Sequence, residues 1–153
     1  MSGTEPPKLF LTMGRQRALF RGWLRFAARL MPFGKLPRRE TELVILRVAH
    51  LRSCDYEFDH HVALSRRFGV NERDLRCVRI GPDDPGWTAR ESAILATVDA
   101  LVSRQDLTEQ EWNHISAFLN DPLIIELVLL VGHYDMLATF LNTLRISPDR
   151  HRR

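Results

Sequence analysis

The segment IIELVLLVGHYDMLATFL, residues 124–141, is apolar nearly all round a helix, and no other feature of the chain constrains the fold as strongly. A helix without a polar face has to be covered on most sides, which puts it at the centre of a packed bundle. Asp121 followed by Pro122 supplies a helix start, a capping side chain with proline in the first turn, and the helix is expected to run to about Leu144. A second dense apolar run, LVILRVAHL, lies in a helix expected over residues 37–51 and also demands burial on more than one side. One short chain has difficulty covering both, so part of this surface is expected to lie between subunits of a homo-oligomer.

Elsewhere apolar residues recur near every 3.6 positions and alternating β-type segments are missing, so the expectation is an all-α bundle of six helices. A helix over residues 15–31 carries Leu19, Phe20, Trp23, Phe26, Ala27 and Leu30 on one side. Arg17, Arg21, Arg25 and Arg29 stand at i, i+4 spacing on the other. Pro32, Gly34 and Pro37 break the chain there. The next helix after residue 51 is expected over 54–68, ending at Gly69, and Asn71 can cap a short one through Ile80. The stretch GPDDPG, residues 81–86, is a turn-rich linker between the two halves. Thr88 with Glu91, and Thr108 with Glu111, each form the Thr-x-x-Glu capping box that opens a helix. These signals divide the chain into an N-terminal arm with a basic amphipathic helix (1–36), a helical domain (37–146) and a frayed tail (147–153).

At 153 residues, 44% hydrophobic and 27% charged, the chain has the composition of one soluble globular domain. No stretch approaches the apolar length needed to span a bilayer, and the start MSGTEPPKLF lacks the order of a secretory signal, so a cytoplasmic protein is expected. Two cysteines, Cys54 and Cys77, exclude a disulfide framework, a cysteine-based zinc finger and a Cys-x-x-Cys redox pair. Residues 1–40 hold nine Lys or Arg against two Glu, a balance of +7 that leaves −4 for the rest. A basic amphipathic helix can meet an anionic membrane or nucleic acid phosphates. With the remainder acidic and no DNA-reading motif, neither is an expected partner.

The chemistry-bearing residues cluster in ETELVILRVAHLRSCDYEFDHH, residues 40–61. Cys54, Glu57 and His61 are spaced by three and then four residues, which on a helix places thiol, carboxylate and imidazole on one face. The preceding helix carries Glu42. Such a stripe suits proton or thiol chemistry, and equally a buried cysteine beside an ordinary i, i+4 pair.

The block RETELVILRVAHLRSCDYEFDHHVALSRRFGV resembles the core motif of the carboxymuconolactone decarboxylase and alkylhydroperoxidase D superfamily. The stretches TARESAILATVDAL and ELVLLVGHYDMLATFLNTL are similar to the second half of such domains, so the resemblance spans roughly residues 38–146. It implies an all-helical subunit assembling into trimers or hexamers. In peroxidase members a glutamate precedes a Cys-x-x-Cys pair by twelve residues, and a histidine follows the second cysteine by four. Glu42, Cys54, Glu57 and His61 hold those positions, with Glu57 in place of the second cysteine and Tyr56 where a histidine is often found. The dithiol cycle of those members therefore lacks one thiol, and Cys77 is the sole other cysteine in the chain.

Three readings follow. In the first, Cys54 reduces a hydroperoxide and passes through a sulfenic acid restored by an external thiol, with Glu42, Glu57 and His61 as polar relay. In the second, Glu57 and His61 exchange protons with a small organic acid or lactone, as in a decarboxylase, and Cys54 merely lines the pocket. The third is a helical oligomer that binds a small ligand without turnover. Arg47 and the basic first helix are candidates for holding a substrate's negative charge, and Tyr56, His133 and Tyr134 are further pocket candidates. Glu42, Glu57, His61 and His133 include metal-ligand types, but Glu-x-x-x-His is a weak signal, and neither metal nor other cofactor is expected.

Overall fold

The computed structural model describes residues 6–149, and these form eight α-helices. They are α1 (Lys8–Met13), α2 (Arg17–Leu30), α3 (Arg38–Leu51), α4 (Asp55–Ser65), α5 (Glu72–Ile80), α6 (Ala89–Arg104), α7 (Glu109–Ser116) and α8 (Asp121–Thr143). The all-α class is as expected; the count of six is not. The helices marked in the sequence, including those opened by Asn71, Thr88 and Thr108, already make seven, and α1 adds an eighth that the sequence did not announce.

Local chemistry explains most boundaries. Thr88, Thr108 and Asn71 each accept from the backbone N–H three residues on, and Glu91, Glu111 and Asp74 return the bond. α4 gives way to a 3₁₀ turn, Arg66–Phe68, before Gly69 takes the left-handed conformation at φ 80°. The cap of α8 lies one residue earlier than expected: Asn120, not Asp121, accepts from Leu123 N, and Pro122 sits inside the first turn.

α3 is the hub, packed against α4, α5, α6 and α8. Residues 40–49 of this helix are all buried. Val44, Ile45 and Val48 face a larger core shared with α6 and α8, while Leu43, Leu46 and Ala49 face a smaller one with Phe58, Leu75 and Val78. α8 buries Ile124, Leu127, Leu130, Tyr134, Leu137 and Leu141 in the larger core. With 23 residues and a mean hydropathy of 1.7 over its most apolar stretch, α8 does reach the length and composition of a bilayer span, contrary to the sequence expectation. Its packing against α2, α3, α6 and α7 accounts for that apolar character as a central helix of the bundle. A stripe on its other side, Ile125, Val128, Leu129 and Met136, stays exposed.

α2 corrects another expectation. It meets α8 through Phe20, Trp23 and Leu30, which pack on the larger core, whereas Leu19 points to solvent and Phe26, partly exposed, lays its ring edge-on to His133 at 5.5 Å. Phe10 of α1 places its ring 5.8 Å from Phe20 and 5.9 Å from Trp23, so α1 and α2 close over the bundle as a pair. Residues 147–149 of the expected frayed tail make contacts instead: Lys8 Nζ donates to Ser147 Oγ and to Pro148 O at 2.9 Å, and Lys8 N donates to Asp149 at 3.1 Å. The rest of that tail, residues 150–153, lies outside the described residues.

Candidate functional site

Glu42 and His61 meet because α3 and α4 pack antiparallel across a short turn, bringing two buried polar side chains into one apolar setting. Glu42 Oε2 lies 2.7 Å from His61 Nδ1, and Glu42 Oε1 accepts from Arg38 Nη2 at 2.7 Å one helical turn away. On the other side of the imidazole, Nε2 lies 3.4 Å from Glu57 Oε2, a charge contact at i, i+4 within α4. Burial alone would push the His61 pKa down, but the bond to Glu42 and the neighbouring Glu57 outweigh it and carry the imidazole up to about 9. At neutral pH His61 is therefore a cation held between two carboxylates.

Beside this line of groups opens a cavity of about 200 Å³. Glu57, His60, His61, His133 and Tyr134 form its polar side, and α1 and α2 cover it with apolar side chains including Phe10, Trp23, Leu24 and Met31. Tyr56 also lines it, with its hydroxyl accepting from Leu9 N at 3.2 Å and donating to Asp149. The ring of Tyr134 stands edge-on to His61 at 5.5 Å and to His133 at 5.2 Å. Burial raises the Tyr134 pKa well above that of a free phenol, so the group stays protonated. Burial has the opposite effect on His133, lowering it to about 4 against a small upward pull from Glu57.

Cys54 departs from the one-face expectation. It is the residue before α4, not a member of the helix, and its φ of −97° and ψ of 86° turn the side chain into the larger core. Cys54 is 1% exposed and does not line the cavity. Burial raises its thiol pKa first of all; backbone N–H groups of Glu57 and Tyr56 pull the other way, and the charges of Glu57 and Asp55 add to the rise. Cys77 sits in the smaller core, so both cysteines are free and in separate clusters. Arg47, a candidate for meeting substrate charge, has a structural role instead: Nε and Nη2 bond both oxygens of Asp99 at 2.7 Å, and Nη1 donates to Val78 O at 2.7 Å. The arginines of α2 that were its companions in that role, Arg17, Arg21, Arg25 and Arg29, are exposed and do not line the cavity. Among the described residues no group of three or more His, Cys, Asp or Glu is arranged to hold a metal ion.

The structure brings Glu42, Glu57, His61, Tyr56, His133 and Tyr134 together, and sets Cys54, expected on the same face, behind them in the core. Sequence reasoning missed the apolar wall from α1 and α2, whose signal in the sequence was the apolar line that holds Trp23 and Ala27.

The architecture has clear relatives. A protein of unknown function from Agrobacterium tumefaciens superposes with a TM-score of 0.84 at 20% identity, over 92% of this chain and 97% of that one. An uncharacterized peroxidase-related protein from Silicibacter sp. TM1040 gives 0.85 at 15% identity, over 94% and 76% of the two chains. A similar protein from Ralstonia eutropha JMP134, described as an alkylhydroperoxidase AhpD core, gives 0.81 at 18% identity over 94% and 77%. These likenesses establish the AhpD-like fold. No curated protein matches the chain. Residues 17–100, which include Trp23, Glu42, Cys54, Glu57 and His61, match the family described as the carboxymuconolactone decarboxylase family, and the chain belongs to it.

Proposed function

We propose that the protein is an acid–base enzyme of the lactone-processing type, in which Glu57 and His61 shift a proton within a small lactone or enone. The observation that carries this reading is the Glu42–His61–Glu57 line, which ends at an apolar cavity with Glu57 and His61 on its wall. Glu57 accepts the proton released from a carbon next to the carbonyl and returns it to another position, so the isomerisation needs no oxidant or reductant. His61, protonated at neutral pH, supplies positive charge beside the negative charge that develops on the carbonyl oxygen. Glu42, backed by Arg38, fixes the imidazole and keeps it charged.

A screen of small lactones, enones and keto acids, followed by solvent-deuterium incorporation, tests the reading. Deuterium should enter the substrate with wild type and fall at least about a hundredfold with Glu57→Gln, the low end of what a positioned acid or base contributes. Incorporation unaffected by that change overturns it.

A second reading is an oxidoreductase that reduces hydroperoxides through Cys54. Its support is the place of Cys54 at the start of α4, where the positive end of the helix favours a thiolate. Intact mass after stoichiometric peroxide with dimedone separates the two. An adduct on wild type that vanishes in Cys54→Ser selects the thiol reading, and an unreactive Cys54 selects proton transfer.

A further inference from the structure

α1 lacks the means to hold itself as a helix. It has six residues, no side-chain cap and no acidic residue in its first turn, and a helix that short is not stable alone in water. Its first N–H groups find their partners elsewhere in the chain. Lys8 N donates to Asp149 Oδ1 at 3.1 Å across 141 residues of sequence, and Leu9 N donates to the Tyr56 hydroxyl at 3.2 Å. That hydroxyl donates in turn to Asp149 Oδ2, so one carboxylate ties together the start of α1, the first turn of α4 and the segment after α8. A negative group there also meets the positive end of the helix. Lys8 Nζ adds bonds to Ser147 Oγ and Pro148 O, both at 2.9 Å.

The same short helix walls the cavity. Pro7, Leu9 and Phe10 belong to its lining, and Phe10 sets its ring against Phe20 and Trp23 of α2. Leu9 and Met13 reach the larger core. Ordering so short a segment costs an amount of the same order as burying these few side chains returns. The polar bonds at its start therefore decide whether α1 stays down.

We infer that residues 7–13 form a strap over the cavity and that Asp149 and Tyr56 are the latch that keeps it shut. When the latch breaks, the strap lifts as a unit and the cavity opens. Tyr56 is then a positioning residue: it controls access to the cavity through α1 and the C-terminal segment. The strap works in this way whichever reaction the cavity performs.

Amide hydrogen exchange of the full chain, resolved by NMR, tests the latch. The amides of Phe10, Leu11 and Gly14 bond to carbonyls of this same segment. In wild type they should be protected, yet exchange faster than those of Leu43–Ala49 in α3, because the strap opens without the bundle. Asp149→Ala removes both bonds of the carboxylate, and Tyr56→Phe keeps the ring and removes the hydroxyl. Each should speed exchange in α1 about tenfold or more, as for a lost hydrogen bond to a charged group. A second readout follows the cavity itself. Leu137→Cys puts a thiol on the buried part of its wall, and alkylation there by iodoacetamide, located by peptide mass, should accelerate by a similar factor when either latch change is added. α1 amides that exchange only together with those of α3, or at the wild-type rate in either variant, overturn the inference. So does faster exchange in α1 with no change in alkylation at the cavity wall.

Discussion

Glu42 Oε2 and His61 Nδ1 lie 2.7 Å apart, and this one contact ties α3 to α4 through two side chains closed to solvent. It fixes both the orientation and the charge of the imidazole that faces the cavity. Removing one partner of a buried pair leaves the other uncompensated, typically at a cost of about 3 kcal/mol or more. Glu42→Leu is therefore expected to lower the unfolding free energy by about 3 kcal/mol and to let His61 titrate below neutrality. Chemical denaturation and an NMR titration of the His61 ring measure the two effects; a variant with unchanged His61 titration contradicts the assignment.

The raised pKa of His61 sets the sign of an alkaline stability change. Folded His61 titrates at about 9 and unfolded His at about 6.5, so between these values the folded state holds a proton that the unfolded chain lacks. Its stabilising contribution is complete below about 6.5 and disappears as pH rises through 9. Denaturation midpoints at pH 6, 8 and 10 should fall with increasing pH, and more steeply in wild type than in His61→Gln.

His133 works in the opposite direction on the acid side. Its folded pKa near 4 lies below the unfolded value of about 6.5, so the unfolded chain gains a proton first. Stability is lost as pH falls from about 6.5 toward 4. In His133→Phe this part of the acid slope should disappear, which the same denaturation series at pH 4, 5 and 6.5 resolves.

Cys54 should behave as a core thiol. Buried and with its pKa raised, it is expected to react with a thiol reagent at neutral pH only on the timescale of unfolding, and fully in denaturant. Rapid labelling of the native protein at Cys54 would contradict this and favour the peroxide reading.

The exposed stripe of Ile125, Val128, Leu129 and Met136 on α8 supports the proposal that copies of this chain associate, and a trimer or hexamer is the assembly that the family resemblance implies. Sedimentation of wild type should give that mass, and Ile125→Glu with Leu129→Glu should give a smaller species with unchanged helix content. A monomeric wild type rules the assembly out.

The sequence revealed what local chemistry controls. Capping boxes at Thr88 and Thr108 announce helix starts because the bonds span three residues. The Glu42–His61 contact was reached only through its spacing and the family resemblance, since it crosses from one helix to the next. α1 was invisible: it has six residues, no side-chain cap and no acidic residue in its first turn. Helical spacing placed Cys54 on the stripe of Glu57 and His61, but a residue preceding the first turn does not share the helix's angular register. Leu19 looks like core in a helical wheel, yet which apolar line of α2 is buried depends on how it lies on α8, a tertiary choice absent from local pattern.

The hub position of α3 has one more consequence. Because its two faces belong to different cores, neither core can open while the other keeps α3 in place. Amide protons along Leu43–Ala49 should then exchange with deuterium only through loss of the whole structure, making this helix the slowest-exchanging segment and the bundle a single cooperative unit.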